Sequence, residues 1–454
     1  MCNRESTVDF MSTSLAAGSI PAISSETENS RFLSPAGWGV ALALFCMFIG
    51  MVHDFRSIGK SQDEVHAEAI ESVTRFEKDV SEALPERKLA FILSALIAGY
   101  CLATRRNDVV WQSPLVGGLF LISLLWIFSS LAWSVAPGMT VRALIRVFVY
   151  AGLVFGLAVR FTPAELCRIL VVISTITVLE CVAYELVIGS HESDDGSRRL
   201  GGTLHPNPLA RYTMIMGICG WGYAKLKSAT RWKWIALVVF ALVAIQLTKS
   251  RTGLASCLAG LAAVQFIGQD FRKAFFPTAL LGLLLAGALL VIGLRGDSGV
   301  SGIGSAATMG RGEDVESLTG RLPLWEVILD QAKGREILGF GYGAFWNNTV
   351  NEIIFSELFW YAGHSHNSYL ELLVNIGIVG LSLVVLLGLA TFVRASKLAY
   401  STSRPEYAIF AAILVAAFVN GIAESGFVLP RELAIVPALL SLAVAQKPPP
   451  QPAL

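Results

Sequence analysis

Charge is scarce in this chain. Only 15% of its 454 residues are Asp, Glu, Lys or Arg, against about 25% in an ordinary soluble protein. Long stretches hold no charge at all, such as Ile235 to Leu247 and Leu280 to Leu294. That scarcity argues against a soluble architecture of two or three domains. Strict alternation of apolar and polar residues is also missing, which argues against an outer-membrane barrel. A cleavable signal peptide is not evident at the N-terminus. There is no Gly-rich loop with a following Lys-Ser/Thr, so a nucleotide is not the expected energy source. Cysteine is present but not patterned. Cys2, Cys46, Cys101, Cys167, Cys181, Cys219 and Cys257 show no metal-like spacing and mostly lie in apolar runs, so neither a disulfide framework nor a metal cluster is expected. No internal repeat is visible.

What is present is apolar sequence in runs of membrane length: 54% of the chain is hydrophobic. About 20 such residues cross a hydrocarbon core of roughly 30 Å. They must do so as helices, because backbone amides in lipid have to bond internally. The expected fold class is therefore all-α, a polytopic integral membrane protein of about 12 transmembrane helices. The expected cores are 36–53, 89–104, 114–133, 142–160, 167–189, 207–225, 233–248, 252–268, 276–294, 368–393, 406–423 and 430–446. Residues 1–35 read as a polar cytoplasmic tail, 36–446 as a single transmembrane domain, and 447–454 as a second cytoplasmic tail.

The distribution of Lys and Arg orients the helices. The even-numbered loops carry Arg105 and Arg106, then Arg160 and Arg168, then Lys225, Lys227, Arg231 and Lys233, then Arg272 and Lys273, then Arg394, Lys397 and Arg404. The loop from Ser134 to Val141 carries none. Both termini and the even loops are therefore expected in the cytoplasm, and the odd loops on the periplasmic side. The stretch from His53 to Lys88, with six basic and nine acidic residues, resists this scheme and reads as a solvated or amphipathic helix.

Residues 295–367 form the one long polar interruption of the second half, a large periplasmic loop. A Gly/Ser-rich stretch, Gly296 to Gly312, opens it. Thr319 can cap a short helix in which Leu322, Trp325, Ile328, Leu329 and Ala332 recur at amphipathic spacing. Gly339-Phe-Gly-Tyr-Gly343 then breaks it.

Ionisable groups gather where spans meet the periplasmic side. They are Arg251 in Lys249-Ser-Arg-Thr252, Arg321 in Thr319-Gly-Arg321, the His364-Ser-His366-Asn367 stretch, and Arg198-Arg199 through His205-Pro-Asn207. A guanidinium binds a diphosphate bidentately and keeps its charge. A histidine can take a proton from a hydroxyl. Each has a plainer reading alone: Arg251 as a snorkelling anchor, Arg321 as a solvated residue at a helix start, His205-Pro-Asn207 as an ordinary turn. His364 and His366 lack neighbouring acidic or cysteine ligands, so a zinc site is not expected.

Taken together, these residues resemble a known signature. His366-Asn-Ser-Tyr-Leu-Glu-Leu-Leu-Val-Asn-Ile-Gly377, followed by Gly380, resembles that of the O-antigen ligase and polymerase superfamily. Ser250-Arg251-Thr252-Gly253, Thr319-Gly-Arg321 with Trp325, the Arg199 to Asn207 segment, and Trp133-Ser134 with Arg142 occur in matching order over roughly residues 115–425. The overall look is nearest to exopolysaccharide polymerases of the rhizobial succinoglycan type. The resemblance implies a metal-independent glycosyltransferase that uses an undecaprenyl-diphosphate-linked saccharide at the periplasmic face of the bacterial inner membrane. It implies His366 as the catalytic residue and Arg251 and Arg321 as diphosphate ligands. Arg199, His205, Asn207, His364, Asn367 and Tyr369 are supporting candidates. No cofactor, metal or nucleic acid is expected. Membrane lipid and a chain-length regulator protein are the other expected partners. Two activities remain open at this point, polymerase and ligase. A transporter or flippase is the rival class, and the in-span acids Glu180, Glu185, Glu371 and Glu424 form no obvious relay pair for it.

Overall fold

A computed structural model describes residues 33–52, 85–188, 191–192, 198–226, 229–267, 321–359, 362–426 and 434–448. The tail 1–32, nearly all of the acidic stretch after residue 53, the expected span 276–294 and the Gly/Ser-rich segment lie outside the described residues, as does Thr319.

The helices in chain order are α1 (Pro35–Val52), α2 (Pro85–Ala103), α3 (Pro114–Ser129, extended by a 3₁₀ turn Ser130–Trp133), α4 (Pro137–Arg160), α5 (Pro163–Ile188), α6 (Pro206–Ala224), α7 (Arg231–Thr248), α8 (Arg251–Phe266), α9 (Arg321–Gln331), α10 (Asn348–Leu358), α11 (Ser368–Thr402), α12 (Pro405–Asn420) and α13 (Ile435–Ala445). Between α5 and α6 a two-residue antiparallel pair, β1 (His191–Glu192) and β2 (Arg198–Arg199), is the strand structure among the described residues. Seven of these helices begin on proline, whose fixed φ and missing N–H suit a first turn. Eleven of the twelve expected spans fall on helices. Five stretches are long and apolar enough to cross a membrane: Pro114–Trp133, Pro137–Arg160, Pro163–Val187, Arg231–Thr248 and Ser368–Thr402. Shorter apolar helices lie at Pro35–Ile49, Pro405–Asn420 and Ile435–Ala445.

Helix α6 runs through the middle. It is buried along nearly its whole length and packs against α5, α7, α8 and α12. Small residues allow that closeness, as in other membrane bundles. A Cβ at Gly260 of α8 would stand 2.2 Å from Ile218 of α6, and one at Gly222 of α6 would stand 2.3 Å from Ile409 of α12.

The loops sort to two ends of this bundle. At one end the α2–α3 loop meets the α4 terminus and the chain after α13: Arg106 N–H donates to Val159 O, and Gln112 N–H to Ala445 O. At the other end Leu200 N–H donates to Leu247 O beside the α7–α8 turn, Asn207 Nδ2 to Glu424, Ser368 N–H to Gly421 O, and Phe340 N–H of the 332–347 segment to Val374 O of α11. These are the loops that the Lys/Arg distribution assigns to a common side.

Helix α11 is broken where it passes the second end. Gly377 has φ +68, and a Cβ there would lie 2.0 Å from Ile337 O. The groups freed by the break are taken up by the Glu336–Gly341 segment and by Trp126. Phe340 N–H donates to Val374 O, Gly341 N–H to Asn375 O, and Ile378 N–H to Glu336 O. The indole of Trp126 donates to Ile376 O and that of Trp133 to Leu338 O. The glycine run expected as a simple breaker is therefore the seat of a discontinuous helix, with its irregular backbone satisfied by protein.

Helix α9 buries Leu324, Val327 and Ile328, together with Ala332, whereas Leu329 is half exposed. Its apolar face is thus rotated from the expected one, because it packs on Phe345, Val350 and Ile354.

Candidate functional site

The site is assembled around a carboxylate that the sequence offered only as one of four in-span acids without a relay partner. Glu424 lies just past α12 and is 5% exposed. Arg321, the first residue of α9, donates from Nη2 to Glu424 Oε1 at 2.8 Å. Asn207, in the first turn of α6, donates from Nδ2 to the same oxygen at 2.8 Å. Arg211, one turn further along α6, places Nη1 3.8 Å from Glu424 Oε2. His366 Nδ1 lies 4.0 Å from that second oxygen. Arg199 closes the group behind Asn207, donating from Nη2 to Asn207 Oδ1 at 3.1 Å and from Nε to Thr248 O at 3.0 Å. One carboxylate thus gathers, directly or through Asn207, four cationic or potentially cationic groups: Arg211 and Arg321 from two helices, and Arg199 and His366 from two connecting segments. A buried acid in this position offsets part of their mutual repulsion.

Their exposures divide the arginines. The Arg211 side chain keeps 3% of its surface and that of Arg321 keeps 14%. Gly426 makes room for Arg211, since a Cβ there would stand 2.1 Å from Nη1. Arg321 is thus the more accessible of the two, and Arg211 is enclosed. Arg251 starts α8, behind an N-cap in which Ser250 Oγ accepts from Gly253 N–H at 3.3 Å. That turn leans on α6 beside Arg211, with Gly253 against Ala210. Arg251 is half-buried there.

The histidine segment is held from several sides. His366 adopts φ +50, a left-handed conformation that costs a non-glycine residue energy and often marks a functional constraint. The rings of His364 and His366 lie 4.0 Å apart. His364 Nδ1 accepts from His366 N–H at 3.3 Å and lies 2.9 Å from Ser425 Oγ. An accepting Nδ1 leaves the ring proton on Nε2.

Three supporting candidates hold structure. Asn367 caps α11, its side chain accepting from Tyr369 N–H and Leu370 N–H at 2.9 and 3.0 Å. Tyr369 donates to Phe418 O at 2.8 Å. His205 is the N-cap of α6, accepting from Asn207 N–H at 3.4 Å, and is exposed. Arg142, of the early motif, is exposed, whereas Trp133 and Ser134 brace the Gly339–Gly343 segment. Among the described residues no trio of His, Cys, Asp and Glu could hold a metal ion.

Sequence reasoning missed Glu424 and Arg211. Their signal was available: an ionisable residue inside or beside an apolar span is a functional candidate by default. Searching the in-span acids for an acid pair missed that Glu424 pairs with arginines remote in sequence. Of the other acids, Glu180 accepts from Thr203 Oγ at 3.0 Å and Glu185 from Gly202 N–H at 3.0 Å. Both pin the loop that carries Arg199.

Comparison with known proteins agrees with the motifs. The O-antigen ligase family matches residues 236–385, a stretch that contains Arg251, Arg321 and His366. Exopolysaccharide production protein ExoQ of Rhizobium meliloti (strain 1021) is 26% identical over an alignment of 332 residues that covers 66% of this chain and 72% of that protein. With its apolar helices and its Ser-Arg, Thr-Gly-Arg and His-Asn motifs, this multi-pass membrane chain is similar to members of the O-antigen ligase and polymerase superfamily.

Proposed function

We propose that this protein polymerises undecaprenyl-diphosphate-linked oligosaccharide repeat units into exopolysaccharide at the periplasmic face of the inner membrane. The observation that carries the proposal is the convergence of Arg321, Arg211, Arg199 and His366 on one Glu424–Asn207 pair. The resemblance to ExoQ favours exopolysaccharide as the product. In this reading His366 takes the proton from an acceptor hydroxyl, and the oxygen attacks the anomeric carbon of the donor. The bond from that carbon to the diphosphate breaks, and the configuration inverts. The polyprenyl diphosphate leaves with the bonding pair, and Arg321 and Arg251 stabilise its charge. The reaction draws its energy from the donor itself. Both termini face the cytoplasm, the bundle has about twelve spans, and membrane lipid and a chain-length regulator are its neighbours.

The O-antigen ligase description of the matched region favours a second reading, in which a finished chain is transferred to lipid A-core. The two differ in acceptor, not in chemistry. The test is the polysaccharide profile of a deletion strain carrying wild-type or His366→Ala protein. Loss of secreted polymer, with single repeat units left on the carrier, is the expected result. Lipopolysaccharide stripped of long chains, with full-length chains on the carrier, would move the assignment to ligase. Normal consumption of lipid-linked substrate would remove His366 from the mechanism. Chelator is expected to leave turnover unchanged, and a loss restored by added divalent metal would refute metal independence.

A further inference from the structure

A second buried carboxylate is bonded to the backbone of the histidine segment, and the chemistry above does not use it. Glu371 lies in the first turn of α11 and is 2% exposed. It receives three donors from three places in the chain. Ser365 N–H donates to Oε2 at 2.9 Å, the indole of Trp346 to Oε1 at 2.8 Å, and Asn375 Nδ2 to Oε1 at 3.0 Å. Every one of these is a neutral group.

The Ser365 donor matters most, because Ser365 separates the two histidines and is fully buried. Its carbonyl is held from the other side, by the indole of Trp325 at 2.7 Å. Both polar ends of that residue's backbone are therefore tied to separate elements, Glu371 of α11 and Trp325 of α9. The next residue is His366, in its left-handed conformation. A non-glycine residue stays at such a φ only where its surroundings fix it. Asn375 carries the hold further, since its Oδ1 accepts from Gly343 N–H at 2.8 Å. The Gly339–Gly343 segment thereby braces the same carboxylate.

We infer that Glu371 is a positioning residue for His366: it fixes the Ser365 peptide, and with it the direction in which the imidazole faces Glu424 and the arginines. The inference rests on the proposed role of His366. Glu371 touches none of the reacting groups in this reading and acts only through the segment it holds. A glutamine there keeps the shape but turns an amide N–H₂ either toward Ser365 N–H or toward Trp346 and Asn375, so the three-donor hold is broken in either orientation without a cavity.

The test uses the full-length protein in lipid vesicles, with carrier-linked repeat units extracted from the deletion strain as donor. Glu371→Gln is expected to lower kcat about 100-fold, the scale of a 1 Å misplacement at a reacting centre, with KM for the donor within about twofold. Amide hydrogen exchange at Ser365 is expected to speed up in the same variant. Trp325→Phe, which removes the other tie, should lower kcat in the same manner. The double variant should be little worse than Glu371→Gln alone, since both act through one peptide. A Glu371→Gln protein with wild-type kcat, or one with raised KM and unchanged kcat, overturns the inference. If Glu371→Gln does not accumulate, Trp325→Phe decides on the same criteria. Donor consumption by His366→Ala, measured alongside, separates the two levels. If that variant turns over normally, the assignment of His366 fails. Unchanged Ser365 exchange in Glu371→Gln means that Glu371 does not hold the segment, whatever His366 does.

Discussion

Glu424 and Glu371 are both carboxylates removed from water, both beside the His364–His366 segment, and they are satisfied in opposite ways. Glu424 faces two arginines and a histidine, with one amide donor. Glu371 faces a backbone N–H, an indole and an amide. Formal counter-charges hold an ion and are held by it, and one of them can still turn toward an incoming anion. Neutral dipoles hold an ion without being free to leave, because each belongs to the packed framework. The first arrangement suits binding a charged ligand. The second suits fixing a chain segment.

The largest expected effect comes from removing the charged partner. Glu424→Ala leaves Arg211 and Arg321 without their shared carboxylate. Breaking a buried pair in this way costs roughly 3–5 kcal/mol, so the thermal unfolding midpoint in detergent should fall steeply and turnover should vanish. Adding Arg211→Met to Glu424→Leu should restore much of the stability and none of the turnover, since apolar replacements of buried ion pairs are often tolerated. Recovery of turnover in that double variant would show that Glu424 only balances charge.

Arg321 sharpens the same side of the comparison. Arg321→Ala should abolish polymer while the protein still accumulates. Arg321→Lys should rescue poorly, because an ammonium cannot reproduce a bidentate fork. Wild-type polymer yield from the lysine variant would mean that only positive charge is needed at this position.

The sequence foretold one half of this contrast better than the other. Helices followed from long apolar runs, and their starts could have been placed more tightly by the prolines at 85, 114, 137 and 163. Arg199, Arg321 and His366 could be picked out because charge at the edge of an apolar span is costly and therefore rarely incidental, whereas Arg211 was passed over. Glu424 was not legible in this way, since its meaning depends on Arg321, 103 positions earlier, and on Arg211. Glu371 sat inside the motif that carries the resemblance, but nothing in one sequence reveals that its acceptors meet Ser365 and Trp346. The break at Gly377 was hidden for a related reason. A glycine inside a 35-residue apolar helix is tolerated as often as it breaks, and only the approach of Ile337 decides which.

Gly377→Ala tests that break from the backbone side. Alanine at φ +68, ψ −178, a region almost confined to glycine, costs about 1–3 kcal/mol on conformation alone, and its Cβ would stand 2.0 Å from Ile337 O. The Gly339–Gly343 segment would have to move, and Asn375 with it. Lowered stability should therefore come with lowered kcat, because Asn375 is bonded to Glu371. Lost stability with unchanged kcat would separate the break from the histidine segment.

Trp133→Phe should have the smallest effect and isolate the outer edge of the same seam. The indole of Trp133 donates to Leu338 O at 2.8 Å across an exposed part of the protein. Its ring also lies 5.1 Å from that of Trp126. Phenylalanine keeps most of the ring contact and loses only the N–H. A net hydrogen bond is worth about 0.5–1.5 kcal/mol, and water can replace this one in part. Stability should therefore drop by no more than about 1 kcal/mol. Phe340 N–H, Gly341 N–H and Tyr342 N–H remain bonded to Val374, Asn375 and Ser130, so kcat should stay close to wild type. A large fall in kcat would mean that the histidine segment is controlled from the Trp133 edge of the seam, and that Glu371 relays a constraint which begins outside its own shell of donors.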